Sequence, residues 1–377
     1  MPRLLIRRYR LPLRTALRTA RGLMVEREGV LVRLEAGRGQ VGYGEAAPLE
    51  LFGGPDVREV EAKLRALGRR PDEATLDAAI TEGGCVGFAL ASARAALAAT
   101  EDGGRRAGDR GQVAGDGGQK TEDRIQGTGY RGQDTGDGGQ ETGGALDYWP
   151  VAALLPAGRE VLRVVEDRVE LGFRTFKWKV GVGAVRDELG LLADLSARLP
   201  EGARLRFDAN GAWDRRQAET WLAAVAENPF VEFVEQPIAA EARGAEDLLR
   251  GLAADYPVTL ALDESLASPD DLDRWLAAGW PGVWVLKLAL MGDPAAVVQR
   301  LAAAKADVVF SSALETAIGA RAMLAAAFRW SGPRRALGVG VWPLFVARWA
   351  DGPTAMPFVR WSDVEALQEE AVWNGAL

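Results

Sequence analysis

The 377-residue chain contains no histidine at all. That absence removes an imidazole general base, a Ser–His–Asp triad and every His-ligated zinc site. Acid–base chemistry near neutral pH then falls to Lys, Asp, Glu, Tyr or the single cysteine. Cys85 is that cysteine, so no intramolecular disulfide can form, as suits a reducing cytosol. No uncharged apolar run reaches the length needed to span a bilayer. The N-terminal MPRLLIRRYRLPLR is interrupted by arginines and lacks the apolar core of a signal peptide. A net charge of −7 leaves no excess of basic residues for a nucleic-acid surface. The expectation is a cytoplasmic protein, with no nucleic-acid partner and no membrane span, working as a monomer or homo-oligomer.

What the chain does have is 48% hydrophobic and 26% charged residues, an ordinary globular composition. Its length suggests two domains. Residues 3–10 and 29–37 read as antiparallel strands, followed by the Gly/Pro-rich GYGEAAPLELFGG. Helical patterns follow near 56–68 and 84–99, the second Ala-rich. Residues 1–100 therefore read as an α+β domain.

Residues 101–145 break this pattern. They hold about a third of the chain's 45 glycines and repeat the pentads GDRGQ and GDGGQ. With almost no apolar side chain to bury, such a segment cannot offset its ordering entropy, and it reads as a disordered insertion.

From 146 to 343 strand and helix patterns alternate. Five apolar runs end in charge: FRTFKWK at Lys177 and Lys179, RLRFD at Asp208, FVEFVE at Glu235, VTLALD at Asp263 and VWVLK at Lys287. From Lys179 onward the charged ends recur every 24 to 29 residues, close to the roughly 30 residues of a βαβ unit. Helices fill the gaps around 185–199, 214–226, 244–254, 270–278, 294–304 and 315–329, with Asp214 and Ser268 as N-caps. About eight such repeats imply an α/β fold, a (β/α)7β TIM-like barrel, with the N-terminal domain and residues 344–377 as a cap. The charged ends then gather at the C-terminal mouth of the barrel, where active sites of this architecture lie.

Alternation along the strand puts Lys177 and Lys179 on one face, with Phe176, Trp178 and Val180 on the other. The aromatic face suits the helix layer, so the lysines point inward. Two ammonium groups that close lower each other's proton affinity, and a nearby divalent cation lowers it further. Asp208, Glu235 and Asp263 would repel one another unless a cation sat between them. Hard oxygen ligands with open positions favour Mg²⁺, able to take a small-molecule carboxylate substrate as a further ligand. Asn210, Gln236 and Glu264 stand beside them to orient ligands or pair a lysine. Lys287 falls across the barrel from Lys179.

The ordered set K-x-K, DAN, VEQP, LDES, LK and SSALETAIG resembles the enolase superfamily, in its muconate-lactonising-enzyme-like branch, from residue 3 to about 345 outside the insertion. The lack of histidine excludes the mandelate-racemase-like branch, whose second base is a His. The motifs are most similar to the o-succinylbenzoate synthase family. The resemblance implies Mg²⁺ on Asp208, Glu235 and Asp263, holding the carboxylate of 2-succinyl-6-hydroxy-2,4-cyclohexadiene-1-carboxylate. It implies Lys179 as the base of a syn dehydration through an enediolate, tuned by Lys177, with Lys287 as an opposing cation. It also implies that Phe52 belongs to a specificity loop and that backbone near Ser311 and Ser312 holds the succinyl carboxylate. The product would serve menaquinone or phylloquinone biosynthesis. An N-acylamino acid racemase or dipeptide epimerase, with two alternating lysine bases, is the alternative; LGVGVWPLF lacks the acids of a dipeptide epimerase. Muconate cycloisomerase and a non-catalytic binding barrel are further readings.

Overall fold

The structure, a computed structural model, describes residues 1–19, 22–110, 148–354 and 356–376. An antiparallel sheet opens the chain: β1 (Arg3–Thr19), β2 (Gly22–Glu35) and β3 (Val41–Ala46). The first two strands run longer than their alternation suggests, because each supplies the other's ladder from Arg3↔Glu35 down to Thr19↔Gly22. Helices α1 (Val57–Ala66), α2 (Glu73–Glu82) and α3 (Gly84–Arg110) cover one face. α2 lies outside the expected helices, although Asp72 caps it by accepting from the Thr75 amide and Gly83 stops it. Leu4, Val30, Val32, Leu34, Val60, Leu64 and Leu90 form the core beneath these helices.

α3 continues to Arg110, ten residues into the stretch expected to lie in a disordered insertion. A helix already nucleated adds each further residue at little cost, and this stretch holds no proline to stop it. The rest of that expected insertion, 111–145, lies outside the described residues.

The barrel follows. β4 (Tyr148–Pro150) leads into β5 (Ala153–Leu155), α4 (Val161–Glu170), β6 (Thr175–Lys179), α5 (Val185–Ser196), β7 (Arg204–Asp208), α6 (Arg215–Val225) and β8 (Val231–Glu235). Next come α7 (Ala245–Asp255), β9 (Leu260–Leu262), α8 (Pro269–Ala278), β10 (Val283–Leu286), α9 (Pro294–Ala303), β11 (Asp307–Phe310) and α10 (Ala317–Phe328). β5 to β11 form one seven-stranded parallel sheet in sequence order. Leu337 and Gly338 close it, bridging Val151 on one side and Ser311 on the other. This is the expected (β/α)7β barrel.

Local chemistry explains the outer ring. Asp214 and Gln217 make a reciprocal capping box at the start of α6. Ser268 caps α8, with Pro269 at its first turn. α6 turns Ala218, Trp221, Leu222 and Val225 to the sheet, and complete burial of each large apolar side chain contributes about 1.5–3 kcal/mol. α4 was not foreseen, though Val161, Val165 and Val169 follow a helical period.

Inside the barrel, Phe233, Ala261, Val283, Val285 and Val309 pack as an apolar layer. Below it, Arg206 binds Glu232, and Arg335 joins Glu232 to Asp307, sealing the N-terminal end with paired charge. The opposite end stays open. In the C-terminal segment, β12 (Phe358–Arg360) pairs with β4 and α11 (Trp361–Glu365) packs on the end of α10 at Phe328, while Phe345 bridges Leu13 and Trp373 of α12 (Glu369–Gly375) lies against Tyr43 and under Arg7.

Candidate active site

A cavity of about 300 Å³ opens at the C-terminal ends of the barrel strands. Lys177, Lys179, Asp208, Asn210, Asp263, Glu264 and Lys287 line its polar side. Leu17, Leu49 and Phe52 from the N-terminal layer, with Leu154, Leu155, Leu314 and Val341 from the barrel, line its apolar side.

β6 alternates as expected: Phe176 and Trp178 are fully buried in the main core, while both lysines face the cavity. Lys177 Nζ sits 2.7 Å from Glu235 Oε1 and 2.9 Å from Asp208 Oδ2. Burial alone would lower the Lys177 pKa. Asp208, Glu235 and Asp263 outweigh it and hold the ammonium well above the ordinary lysine value. The lowered proton affinity expected from the neighbouring lysine is reversed here, because three acids surround Lys177. Lys179 donates to Asn210 Oδ1.

Glu235 is only 1% exposed and lies below the cavity floor under Lys177. Burial pushes its pKa well up; Lys177 opposes that shift, while Asp208 and Asp263 add to it. Lys287 is buried and pairs with Asp263, and its ammonium stands 5.1 Å from the centre of the Phe52 ring. Burial of Lys287 is outweighed by Asp263 and Glu264, so its pKa is raised. Asp263 is held below its usual range, Lys287 and Lys177 overriding burial. Glu264 is pushed to about 7 by burial and by Asp263.

Around these groups the polar network is specific. Asn210 has a left-handed backbone (φ 47°), donates its amide N–H to Asp208 Oδ1 and its side chain to Glu264 Oε1. Gln236 points away from the cavity. Its Oε1 accepts from the Asp263 and Ser265 amides, so it fixes the backbone that carries Asp263. Ser311 and Ser312 line the cavity, but their amides donate to Leu286 O and Gly338 O. Their hydroxyls donate to Gly338 O and Glu315 Oε2. These four donors are committed within the protein.

Among the described residues no three acids stand as a ready-made cation cage. Ammonium groups occupy the places where positive charge is needed, Lys177 between Asp208 and Glu235, and Lys287 against Asp263. Three carboxylates on adjacent strand ends, with Glu264 Oε2 buried and lacking a hydrogen-bond partner, are still a donor set suited to a hard divalent cation.

Sequence reasoning missed several contributors. Leu17 and Leu154 reach the cavity from β1 and β5. Arg27 and Glu45, both buried, bind the segment that follows β11. A charge inside an otherwise apolar strand, as at Glu45, was the available signal.

Residues 160–352 match the family model described as enolase C-terminal domain-like, and the chain belongs to the enolase superfamily. Within it, the chain belongs with the o-succinylbenzoate synthases. It is 34% identical over 353 residues to the o-succinylbenzoate synthase of Thermosynechococcus vestitus, 92% of either chain. The crystal structure of o-succinylbenzoate synthase from Thermosynechococcus elongatus, complexed with Mg in its active site, superposes with a TM-score of 0.73 at 32% identity, covering 98% of this chain and 99% of that one. The muconate lactonizing enzyme of Pseudomonas fluorescens, 21% identical with a TM-score of 0.71 over 98% of this chain and 97% of its own, shares the fold.

Proposed function

We propose that the chain is an o-succinylbenzoate synthase, a hydro-lyase that converts 2-succinyl-6-hydroxy-2,4-cyclohexadiene-1-carboxylate to 2-succinylbenzoate and water for menaquinone or phylloquinone biosynthesis. The observation that carries this reading is the convergence of Lys179 and Lys287 on one cavity, with Asp208 and Asp263 between them. The similarity to synthases over nearly the whole chain supports the same assignment.

Lys179, as the amine, takes the proton from the carbon bearing the ring carboxylate, and the resulting ammonium returns it to the departing hydroxide on the same face. One C–H and one C–O bond break, a ring C=C bond forms, and water leaves. Aromatisation drives the step forward. Asn210 aims the Lys179 amine through their hydrogen bond. Asp208, Glu235 and Asp263 would hold Mg²⁺, which would supply positive charge to the substrate carboxylate. Lys287, kept protonated by Asp263, faces the substrate as a fixed cation. Similarity to synthases over nearly the whole chain favours this reaction over a two-base racemisation.

Residues 1–100 act as the cap and 146–343 as the catalytic barrel, with 344–377 returning to the cap. Among the described residues no helix is long and apolar enough to cross a membrane, and we place the enzyme in the cytoplasm. The assay is purified protein with Mg²⁺ and the cyclohexadiene substrate, followed by the absorbance of 2-succinylbenzoate. Formation of product is expected. Absence of turnover by protein with native circular dichroism overturns the reading.

A further inference from the structure

Two buried charges of opposite sign reach from the N-terminal sheet to one cavity-lining segment of the barrel. Arg27 on β2 is 3% exposed. Its guanidinium donates to Ala47 O at 2.6 Å and Pro48 O at 2.5 Å on one side, and to Ala313 O at 3.2 Å and Leu314 O at 3.1 Å on the other. A fifth bond goes to Glu28 O at 2.8 Å. Glu45 on β3, fully buried, takes the complementary groups: the Thr316 amide at 3.0 Å, the Thr316 hydroxyl and the Gly319 amide at 2.9 Å. Tyr9 OH steadies Glu45 at 2.5 Å.

The chemistry is matched at each point. A planar guanidinium can satisfy several carbonyl oxygens at fixed angles, which a lysine cannot. A carboxylate suits the unpaired N–H groups at the start of α10. Between the two anchors lies Leu314, whose φ of 61° places a branched side chain in the left-handed region. A residue holds such a conformation only where its surroundings impose it. Here the Arg27 bond to its carbonyl and the Ser312 hydroxyl on its amide do so. The Leu314 side chain forms part of the cavity wall, and the loop that follows Ala47 and Pro48 carries Leu49 and Phe52 on the facing wall.

We propose that Arg27 is a positioning residue that, together with Glu45, sets the spacing between two walls of the cavity, the 47–52 and 311–316 segments, and so determines how tightly the enzyme holds the part of the substrate that lies between them. It rests on the synthase reading only for the identity of that substrate. Arg27 touches none of the reacting atoms. Its removal weakens binding in ground and transition states alike, which raises KM and spares kcat.

The test compares Arg27→Lys and Arg27→Gln with Leu64→Ala, a cavity-forming change in the N-terminal core remote from the site. Amide hydrogen exchange on the full chain is the first measurement. In both Arg27 variants we expect exchange at 47–52 and 311–316 to quicken about tenfold or more, the loss expected from breaking charged hydrogen bonds. The Leu64→Ala control should speed exchange in the N-terminal core alone. The second measurement is steady-state kinetics, with KM up about tenfold and kcat within about threefold of wild type. Arg27→Lys, which keeps charge and stem, should lie between wild type and Arg27→Gln. Exchange and KM that match wild type, or that change no more than in Leu64→Ala, overturn the proposal. An inactive wild type refutes the synthase reading instead, and the exchange measurement still decides the role of Arg27.

Discussion

The Lys177 ammonium and the Glu235 carboxylate form a buried ion pair at 2.7 Å across β6, β7 and β8, at the cavity floor. With Asp208 also 2.9 Å from the same nitrogen, one lysine offsets two acids. Removing it leaves uncompensated charge in a place water scarcely reaches. Without Mg²⁺, Lys177→Met should therefore lose about 3–5 kcal/mol of stability. Saturating Mg²⁺ should raise its Tm by more than it raises that of the wild type, because the ion replaces the missing charge. Equal Mg²⁺ shifts in both proteins would show that the ion does not take over the charge of Lys177.

Lys179 stands two residues further along the same face and contacts Asn210 instead of an acid. As the proposed base, it would contribute roughly 10²- to 10⁴-fold to the rate. Lys179→Ala should lose at least about a hundredfold in kcat on that scale, with Mg²⁺ affinity by calorimetry unchanged. A variant that keeps a tenth of the activity places the base elsewhere.

Glu315 sets a pH dependence away from the acids of the catalytic face. Burial, with Glu45 nearby, pushes its pKa from 4.5 to about 7. Between those values the folded protein keeps a proton that the unfolded chain has lost, so stability falls as pH rises through this window. The contribution is complete below about 4.5 and gone above about 7. Glu315→Gln cannot ionise, and its amide oxygen can still accept from the Ala313 amide and the Ser312 hydroxyl. Urea unfolding should find the variant more stable than wild type at pH 8, with the difference vanishing towards pH 4.5. A constant difference across that range would mean that Glu315 does not titrate there.

The recurrence of charge at strand ends was legible because strand period, helix length and loop length are local properties. So was the inward aim of both lysines, which follows from alternation along TFKWK. Proton affinity was not legible in the same way. Lys177 is surrounded by acids 31 and 58 positions away, and only the curvature of the sheet sets those distances. The donor groups of Ser311 and Ser312 were similarly out of reach, since Gly338 and Leu286 consume three of the four from other strands. Arg27 and Glu45 reach partners more than 270 residues away, beyond anything a window of neighbouring residues can report. The continuation of α3 to Arg110 ran against composition because helix propagation needs only compatible backbone, not apolar side chains.

Gly44 lies in β3 directly before Glu45, where α3 crosses the strand at close range. A Cβ added there would collide with the carbonyl oxygen of Ala89, and one at Gly42 with that of Ala93. Both obstacles are helix backbone, which cannot rotate aside as a side chain does. Gly44→Ala must therefore push α3 outward, or shift β3 and carry Glu45 off Thr316. Overpacking of this kind costs about 1–3 kcal/mol or more. The midpoint of urea unfolding should fall at unchanged slope, the slope times the shift giving that loss. Gly37→Ala, with nothing near its added carbon, should be within about 0.5 kcal/mol of wild type. If β3 moves and α3 stays, the Gly44→Ala variant should also show the raised KM of the Arg27 variants, because the same segment loses its second anchor. A Gly44→Ala protein as stable as wild type would refute the close approach of α3 to β3.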